Sequence, residues 1–240
     1  MLDDNKDLSD DNAAAVKSWQ AAGRLFGVTS GRQLSGVDRA LQGKIQPDFV
    51  VCLNGAYVKS LSGQVSWHRI PNAVTQTVLK TMNQLQPDRI TLTASGQSRE
   101  LQPGELTKLL IQLNQGEPVF EKLSAVYFEH LEQLENLMTK LQQLAVEVTR
   151  SDVNFLEITA KDVSKLSGLK LALQDRYTLD QVAAIGDYGN DLAIIANVAV
   201  GAAVQNATQA LKDQAAYIAV DHNHSAIANL ITHILHEENK

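Results

Sequence analysis

Short apolar runs and longer stretches with helical spacing alternate over both ends of this chain. The apolar runs are five in number: 24–29, 48–53, 181–185, 198–204 and 216–220. Runs of this kind are typical of strands that are buried on both faces, as in parallel sheets. Helical spacing is found in five stretches: 10–22, 165–176, 190–196, 206–213 and 225–236. Alternation of short apolar strands with helices predicts an α/β domain built on a parallel sheet.

The middle of the chain has a different pattern. Helical spacing there predicts three helices, at 72–85, 104–114 and 130–144, and the strand candidates are 89–94, 125–128 and 146–149. Because some of these segments alternate or are partly polar, they favour an antiparallel sheet with one wet face. We therefore predict an α/β core that is interrupted by an α+β insert. The predicted boundaries are 1–58 for the first part of the core, 59–158 for the insert and 159–240 for the second part of the core.

Composition narrows the possible partners. The 240 residues contain 21 Lys and Arg against 27 Asp and Glu, which gives a formal net charge of −6. This balance argues against nucleic-acid and anionic-membrane partners, because both need a basic surface. Cys52 is the single cysteine, so no internal disulfide is possible, and no run approaches the ~20 apolar residues of a membrane span. The first residues do not resemble a secretory leader, and we expect a cytoplasmic protein.

The densest group of polar residues follows the apolar run at 181–185. Gly186 ends this run, Asp187 comes directly after it, and Asn190 and Asp191 begin the next helical stretch. Ligands of open α/β sheets bind beyond the carboxyl ends of the strands. Two carboxylates four residues apart, with a glycine between them, offer the hard oxygens that Mg²⁺ prefers. The alternative interpretation is a helix-capping loop with solvated acids.

Two further features have chemistry that suits an anion. Ser30 offers a hydroxyl group at the end of an apolar run, and Gly31 allows close backbone approach, so the turn at Ser30–Arg32 can donate hydrogen bonds to a phosphate. Lys165 lies in the first turn of a predicted helix, where a positive charge opposes the helix dipole unless an anion is nearby. The alternatives are an ordinary turn and a solvated lysine.

Taken together and in this order, these motifs resemble the haloacid dehalogenase (HAD) superfamily, specifically the Cof-type phosphatases with a large α/β cap of the C2 type. The resemblance covers nearly the whole chain. It rests on five segments: 9–32, 53–56, 154–165, 186–191 and 204–207. It implies a Rossmann-like core with a parallel sheet, and it implies that the insert at 59–158 is the cap.

The resemblance also implies an activity. Members of the family are Mg²⁺-dependent phosphatases that form an aspartyl-phosphate, and the expected substrate is a small phosphorylated metabolite such as a sugar phosphate. By motif, the implied catalytic residues are Ser30, Lys165 and Asp187, and the implied metal ligands are Asp187 and Asp191. The residues implied to bind phosphate or substrate are Ser30, Gly31, Arg32, Asn54, Lys165 and Asn190. The motifs do not report the acceptor, so a phosphomutase-like transferase is an alternative.

The family's first motif, Asp-x-Asp-Gly-Thr at the end of an apolar strand, is absent from this sequence. Residues 1–9 resemble the segment that follows that motif, and we interpret Asp3 and Asp4 as solvated turn residues because no apolar strand precedes them to position a nucleophile. In the family, the missing strand lies between the strands predicted at 24–29 and 182–186. Without it, these neighbours would be ~10 Å apart, twice the ~4.8 Å spacing of paired strands.

Three explanations of this departure are open. Translation can start upstream, with Met1 an internal methionine of a longer protein; this is the explanation we favour. The sheet can close over the gap and leave a phosphate-binding or regulatory protein that has no nucleophile. The chain can also fold poorly. In each case, we expect the 240 residues alone to be inactive as a phosphatase.

Overall fold

The computed structural model describes residues 2–239, so Met1 and the prediction about it lie outside the described residues. The strands, in chain order, are β1 (Gly27–Thr29), β2 (Phe49–Cys52), β3 (Tyr57–Lys59), β4 (Val65–Trp67), β5 (Arg89–Ala94), β6 (Gln97–Glu100), β7 (Lys122–Val126), β8 (Val146–Asp152), β9 (Phe155–Ala160), β10 (Ala183–Gly186), β11 (Val200–Val204) and β12 (Tyr217–Ala219). The helices are α1 (Asp10–Ala21), α2 (Leu34–Leu41), α3 (Asn72–Leu85), α4 (Leu106–Asn114), α5 (Leu131–Leu141), α6 (Lys165–Leu173), α7 (Leu192–Ile195), α8 (Gln209–Lys212) and α9 (Ala226–Glu238).

Local signals explain where several helices begin and end. The hydroxyl of Ser9 accepts a hydrogen bond from the backbone N–H of Asn12, which caps α1. The chain leaves α1 at Gly23, which has a φ of +78° that suits glycine. Ser164 and Ser167 form a reciprocal capping box at the start of α6. These caps confirm the predicted helices at 10–22 and from residue 165.

Two small sheets contain the strands from both ends of the chain. In the first, the order is β1-β2-β3-β4, with β1 and β2 parallel and the hairpin of β3 and β4 antiparallel. In the second, β10, β11 and β12 are parallel and adjacent in chain order. The parallel pairing of the predicted apolar runs confirms the α/β class. Helix α6 packs against β2 and β3 of the first sheet and against α7 of the second part of the core.

The middle of the chain forms a separate five-stranded antiparallel sheet with the order β6-β5-β7-β9-β8. We call this sheet together with α3, α4 and α5 the antiparallel layer, residues 72–160. Its apolar face, which includes Leu92, Leu123 and Ile158, is fully buried against the helices. The opposite face is polar, as the paired residues Ser124 and Glu157 show. The antiparallel pairing agrees with the prediction, but the predicted wet face is wrong here: Ser124, Glu157 and Thr159 are at most 4% exposed, because this face packs against the core at Asn54.

Some elements differ from the sequence predictions. The strand predicted at 24–29 is limited to Gly27–Thr29, and the predicted boundary between 58 and 59 falls inside the hairpin of β3 and β4. This hairpin stays on the first sheet because β3 pairs with β2. Helix α2 and strands β3, β4, β6 and β9 were not predicted. All four residues of β6 are exposed, so that strand carries no apolar signal.

A gap separates the two core sheets where β1 and β10 face the same cavity. Both are edge strands of their sheets, and they do not pair with each other within residues 2–239. The cavity between them has a volume of about 260 Å³. The alternative in which the sheet closes over the gap is therefore wrong for this structure. Within the described residues, no helix has the length and apolar character that crossing a bilayer requires.

Candidate active site

Five of the residues singled out from the sequence line the cavity between β1 and β10. They are Ser30, Arg32, Lys165, Asp187 and Asp191. The loops that follow the carboxyl ends of β1 and β10 open into this space, which is where ligands of α/β sheets bind. The fold thus brings the three sequence motifs, which are far apart along the chain, to one place.

A buried ion pair lies at the centre of this group. The ammonium of Lys165, the first residue of α6, donates a hydrogen bond of 2.7 Å to Oδ1 of Asp191. Both side chains are buried, at 8% and 11% exposure. Gly186 makes this approach possible, because a Cβ there would lie 2.5 Å from Cβ of Asp191. Asp191 is the negative neighbour that the position of Lys165 at a helix start indicated.

Asp187 is the carboxylate of this group that opens into the cavity. Its own backbone N–H donates to Oδ2 of Asp191 at 3.3 Å, so the two acids are held close together. The surrounding protein removes much of the water around the Asp187 carboxyl, and this desolvation together with the negative charge of Asp191 raises its pKa above the usual 3.8, against the opposing charge of Lys165. A cation bound at this carboxylate would offset the desolvation of Asp187 and its repulsion by Asp191.

The turn at Ser30 is tied to the neighbouring strand β2. The backbone N–H of Ser30 donates to the carbonyl of Val51 at 2.8 Å, and the Ser30 hydroxyl accepts from the backbone N–H of Arg32 at 3.1 Å. The hydroxyl proton of Ser30 can therefore point to another acceptor in the cavity. This arrangement suits a hydrogen bond from Ser30 to an anionic oxygen.

The segment after β2 has an unusual backbone. Leu53, Asn54 and Gly55 have consecutive positive φ angles of 53°, 54° and 102°. Such angles cost free energy for residues other than glycine, and they cluster at functional sites. The backbone N–H groups of Leu53 and Asn54 hold the segment by donating to the carbonyls of Arg32 and Ser30, both at 3.0 Å. The segment is thereby joined to the Ser30 turn.

Three predicted site residues lie beside the cavity rather than on its wall. Gly31 lies next to the Asn54 side chain, and Asn190 donates from Nδ2 to Oδ1 of Asn54 at 3.3 Å. The side chain of Asn54 is 2% exposed. Direct contact of these three residues with a substrate remains a prediction.

The donor set around Asp187 is compatible with Mg²⁺. Within residues 2–239, no group of three or more His, Cys, Asp or Glu side chains is arranged to hold a metal. Mg²⁺ does not need one, because it is usually bound by one or two carboxylates with water and substrate phosphate as the other ligands. Both oxygens of Asp191 already accept hydrogen bonds, from Lys165 and from the Asp187 backbone, which leaves Asp187 as the more available ligand.

The first residues of the chain also border the cavity. Leu2, Asp3 and Lys6 contribute to its wall, and the Asp3 carboxylate accepts from the backbone N–H of Asp7 at 2.9 Å, as expected of a turn residue. Asp4 instead accepts from His222 at 2.8 Å.

His222 lines the cavity as well, and the sequence analysis did not select it. The signal that could have found it is its position next to Asp221, in the short turn that follows β12 and precedes α9.

Comparison with known proteins decides the family. A sequence profile described as haloacid dehalogenase-like hydrolase matches residues 1–231. The chain belongs to this family. The match extends over the core segments and over the antiparallel layer, so it includes every residue of the cavity described above.

Individual relatives of this HAD-like hydrolase agree with that assignment. The chain is 24% identical over 242 residues to the 5-amino-6-(5-phospho-D-ribitylamino)uracil phosphatase YcsE of Bacillus subtilis, covering 97% of this chain and 91% of that protein. A HAD-like hydrolase structure from B. subtilis has a TM-score of 0.83 at 19% identity, covering 97% of this chain and 95% of that one. A HAD subclass IIB sugar phosphatase structure has a TM-score of 0.78 at 18% identity, covering 95% and 92%.

These comparisons confirm three of the sequence predictions. The family is the HAD superfamily, the enzyme class is that of the HAD-like hydrolases, and the fold is a Rossmann-like α/β core with an inserted α+β cap. The structural likeness, at identities below a quarter, bears on the fold alone. The roles of the individual cavity residues are argued below.

Proposed function

We propose that this HAD-like hydrolase acts as a Mg²⁺-dependent phosphatase on small phosphorylated metabolites such as sugar phosphates. The observation that carries the proposal is the shared cavity, where the buried Lys165–Asp191 pair lies beside the open carboxylate of Asp187 and the hydroxyl of Ser30. The names of two relatives, a phosphoribitylamino-uracil phosphatase and a sugar phosphatase, support this substrate class. A cytoplasmic location, suggested by the single cysteine, is part of the proposal.

Phosphoryl transfer depends mainly on positioning and on stabilisation of charge. In the proposed site, the Ser30 hydroxyl donates to a phosphoryl oxygen, and the Lys165 ammonium balances negative charge on the phosphate. Arg32 is exposed at the rim of the cavity and supplies a further positive charge for the substrate. Gly31 and Asn54 shape the adjoining turn, and Asn190 orients the loop that carries Asp187.

The proposed metal ligands follow from the hydrogen bonds of the two acids. Asp187 holds Mg²⁺ directly, and Asp191, whose oxygens are engaged, holds it through water. When bound, Mg²⁺ supplies positive charge that neutralises the phosphate oxygens. Binding would also remove the repulsion that raises the pKa of Asp187.

The nucleophile is proposed to lie on a strand that occupies the gap between β1 and β10. Two edge strands face this gap, and a strand between them would pair with both. A carboxylate at its end would attack phosphorus and form an aspartyl-phosphate, while a second acid two residues later protonates the leaving oxygen. Water would then hydrolyse the aspartyl-phosphate and release inorganic phosphate.

Two experiments test this proposal. The in-frame DNA upstream of Met1 should encode an apolar run that ends in Asp-x-Asp-Gly, and a stop codon there would contradict this origin of the nucleophile.

A chain extended by that strand should release phosphate from sugar phosphates, and Asp187→Ala should abolish both turnover and its Mg²⁺ dependence. Asp180→Ala, at an exposed carboxylate, is the control. Unchanged turnover in Asp187→Ala would rule out the site assignment.

A second candidate is a non-catalytic protein that binds phosphorylated ligands. Its binding site would be the same cavity, where Ser30, Arg32 and Lys165 can contact a phosphate without a nucleophile. Thermal unfolding of this chain with Mg²⁺ and a panel of sugar phosphates tests it, because a ligand that binds only the folded state raises Tm. Absence of any shift across the panel would count against binding.

A phosphomutase-like transferase is the third candidate, since the cavity residues do not select the acceptor. Product analysis separates it from a phosphatase, because a mutase returns an isomeric sugar phosphate and little inorganic phosphate.

A further inference from the structure

A second buried polar cluster lies next to the cavity, and its charged members come from the antiparallel layer. The ammonium of Lys122, on β7, donates to the carbonyl oxygen of Gly31 at 2.6 Å and also to Oε1 of Glu157, on β9. The two side chains are 10% and 5% exposed. This ion pair of the insert therefore contacts the backbone of the Ser30 turn directly.

Gly31 is a glycine because Glu157 approaches it so closely. A Cβ at Gly31 would lie 2.9 Å from Oε2 of Glu157 and 3.1 Å from Oδ1 of Asn54. The φ angle of Gly31 is not among the positive ones, so the requirement comes from the space that the carboxylate occupies. A side chain at position 31 would therefore have to displace the Glu157 carboxylate.

The charge of Glu157 also sets the direction of two side-chain amides. A carboxylate only accepts hydrogen bonds, so Asn54 must present its Nδ2 to Oε2 of Glu157, and the distance is 2.9 Å. The Oδ1 atom of Asn54 is then turned toward Nδ2 of Asn190, which donates to it at 3.3 Å. Asn190 belongs to the loop between Asp187 and Asp191.

The Glu157 carboxyl is ionised in the folded protein. Burial by itself would raise its pKa, but the charge of Lys122 and hydrogen bonds from Lys122, Asn54 and Ser151 outweigh burial and lower it below the usual 4.5. At neutral pH, Glu157 therefore only accepts hydrogen bonds, as the orientation of the Asn54 and Asn190 amides requires.

This cluster connects two loops that no strand pairing holds together. The Ser30 turn follows β1 and the Asn190 loop follows β10, and these strands belong to different sheets. The contacts from Lys122 through Glu157 and Asn54 to Asn190 reach both loops.

We propose that Lys122 and Glu157 are positioning residues of the phosphate site: the pair sets the Ser30 turn and the Asn190 loop in the mutual arrangement that phosphate and Mg²⁺ require. The proposal rests on the function proposed above for the cavity. The alternative is an ion pair that only stabilises the packing of the antiparallel layer.

The test compares Glu157→Gln with wild type in the 240-residue chain. With an amide at 157, Nε2 faces Asn54, and the Asn54 amide must reverse, so that Asn190 loses its acceptor. The ¹H–¹⁵N resonances of the Asn54 and Asn190 side-chain amides should move. The dissociation constant for inorganic phosphate, measured by calorimetry with Mg²⁺, should rise roughly 10- to 100-fold, the usual cost of removing an outer-shell partner.

Glu105→Gln is the matched control, because Glu105 also forms an ion pair within the antiparallel layer, where it binds Arg99 at 2.7 Å and the backbone N–H of Gln102. It should leave both readouts as in wild type. Unchanged Asn54 and Asn190 resonances in a folded Glu157→Gln variant would overturn the proposal. Moved resonances with unchanged phosphate affinity would overturn it as well.

Two arrangements keep the test decisive. If Glu157→Gln does not fold, the double variant Lys122→Met/Glu157→Gln replaces it, because it removes both charges of the pair. A second measurement is made on wild type, where the Asn54 side-chain amide protons should exchange slowly with solvent. Fast exchange of these protons would contradict the proposal. If wild type binds no phosphate, the proposed function fails, and the Asn190 resonances still report whether Glu157 positions that loop.

Discussion

The ammonium of Lys165 lies 2.7 Å from Oδ1 of Asp191, and the two side chains are almost completely buried. Lys165 begins α6, directly after the antiparallel layer, whereas Asp191 follows β10 in the second sheet. A buried charge without its partner is costly, so each residue depends on the other for its place in the core. This contact holds together the two halves of the candidate active site.

Lys165→Met should therefore destabilise the protein. Removing one partner of a buried ion pair leaves the other charge uncompensated, and we expect a loss of about 3 kcal/mol in the free energy of unfolding. Urea denaturation measures it. Lys170→Met, at an exposed position of the same helix, is the control and should change stability by less than about 0.5 kcal/mol. Equal effects of the two substitutions would contradict the burial argument.

Gly31→Ala should destabilise the Ser30 turn through the collision with Glu157 and Asn54. Overpacking of this kind costs about 1 to 3 kcal/mol, and thermal unfolding measures it. Gly36→Ala is the matched control: a Cβ there would be 3.5 Å or more from its neighbours, and the residue lies inside α2. Because alanine favours helix, Gly36→Ala should stabilise by about 0.5 to 1 kcal/mol. A neutral result for Gly31→Ala would show that the Glu157 carboxylate moves aside.

Glu157 should make stability depend on acid pH. Its folded-state pKa is lowered, so its contribution is present above the usual pKa of 4.5 and is lost as pH falls through the lower folded-state value. We expect the free energy of unfolding of wild type to fall more steeply below about pH 5 than that of Lys122→Met/Glu157→Gln. Denaturation curves over a series of pH values measure the difference, and parallel curves would contradict it.

Asp187→Asn should raise Tm in the absence of Mg²⁺ and should abolish the rise in Tm that Mg²⁺ causes in wild type. The raised pKa of Asp187, caused by desolvation inside the cavity and by the charge of Asp191, means that its ionised form opposes folding as pH rises through the folded-state value. The amide removes this penalty, so the metal-free variant should have a higher Tm than wild type at neutral pH. Mg²⁺ should raise Tm of wild type only. A Mg²⁺ shift that persists in the variant would exclude Asp187 as the ligand.

Local patterns predicted every helix except α2. Helix α3 occupies Asn72–Leu85, as its spacing indicated, and α6 begins at Lys165 behind a serine cap. Capping and helical periodicity involve residues within a turn or two of each other, so they can be recognised along the chain. Strand β6 escaped prediction because pairing with β5, and not burial, makes it a strand.

Several residues of the candidate site were predictable from the sequence, but the contacts between them were not. Sequence motifs selected Ser30, Lys165, Asp187 and Asp191, and the fold brings all four to one cavity. They did not select Glu157 as a partner of Asn54, since the two residues are 103 positions apart. Nothing in a single sequence reports a contact over that distance.

By itself, the sequence determined most of the helices, the α/β class with its insert, and the residue types that stand at the ends of the predicted strands, because these depend on local periodicity and turn chemistry. Only the tertiary structure decided that Gly31 is required by an approaching carboxylate, that β1 and β10 remain apart, and that Lys122 and Glu157 contact the site from the antiparallel layer. The physical reason is that close packing between distant segments sets these contacts.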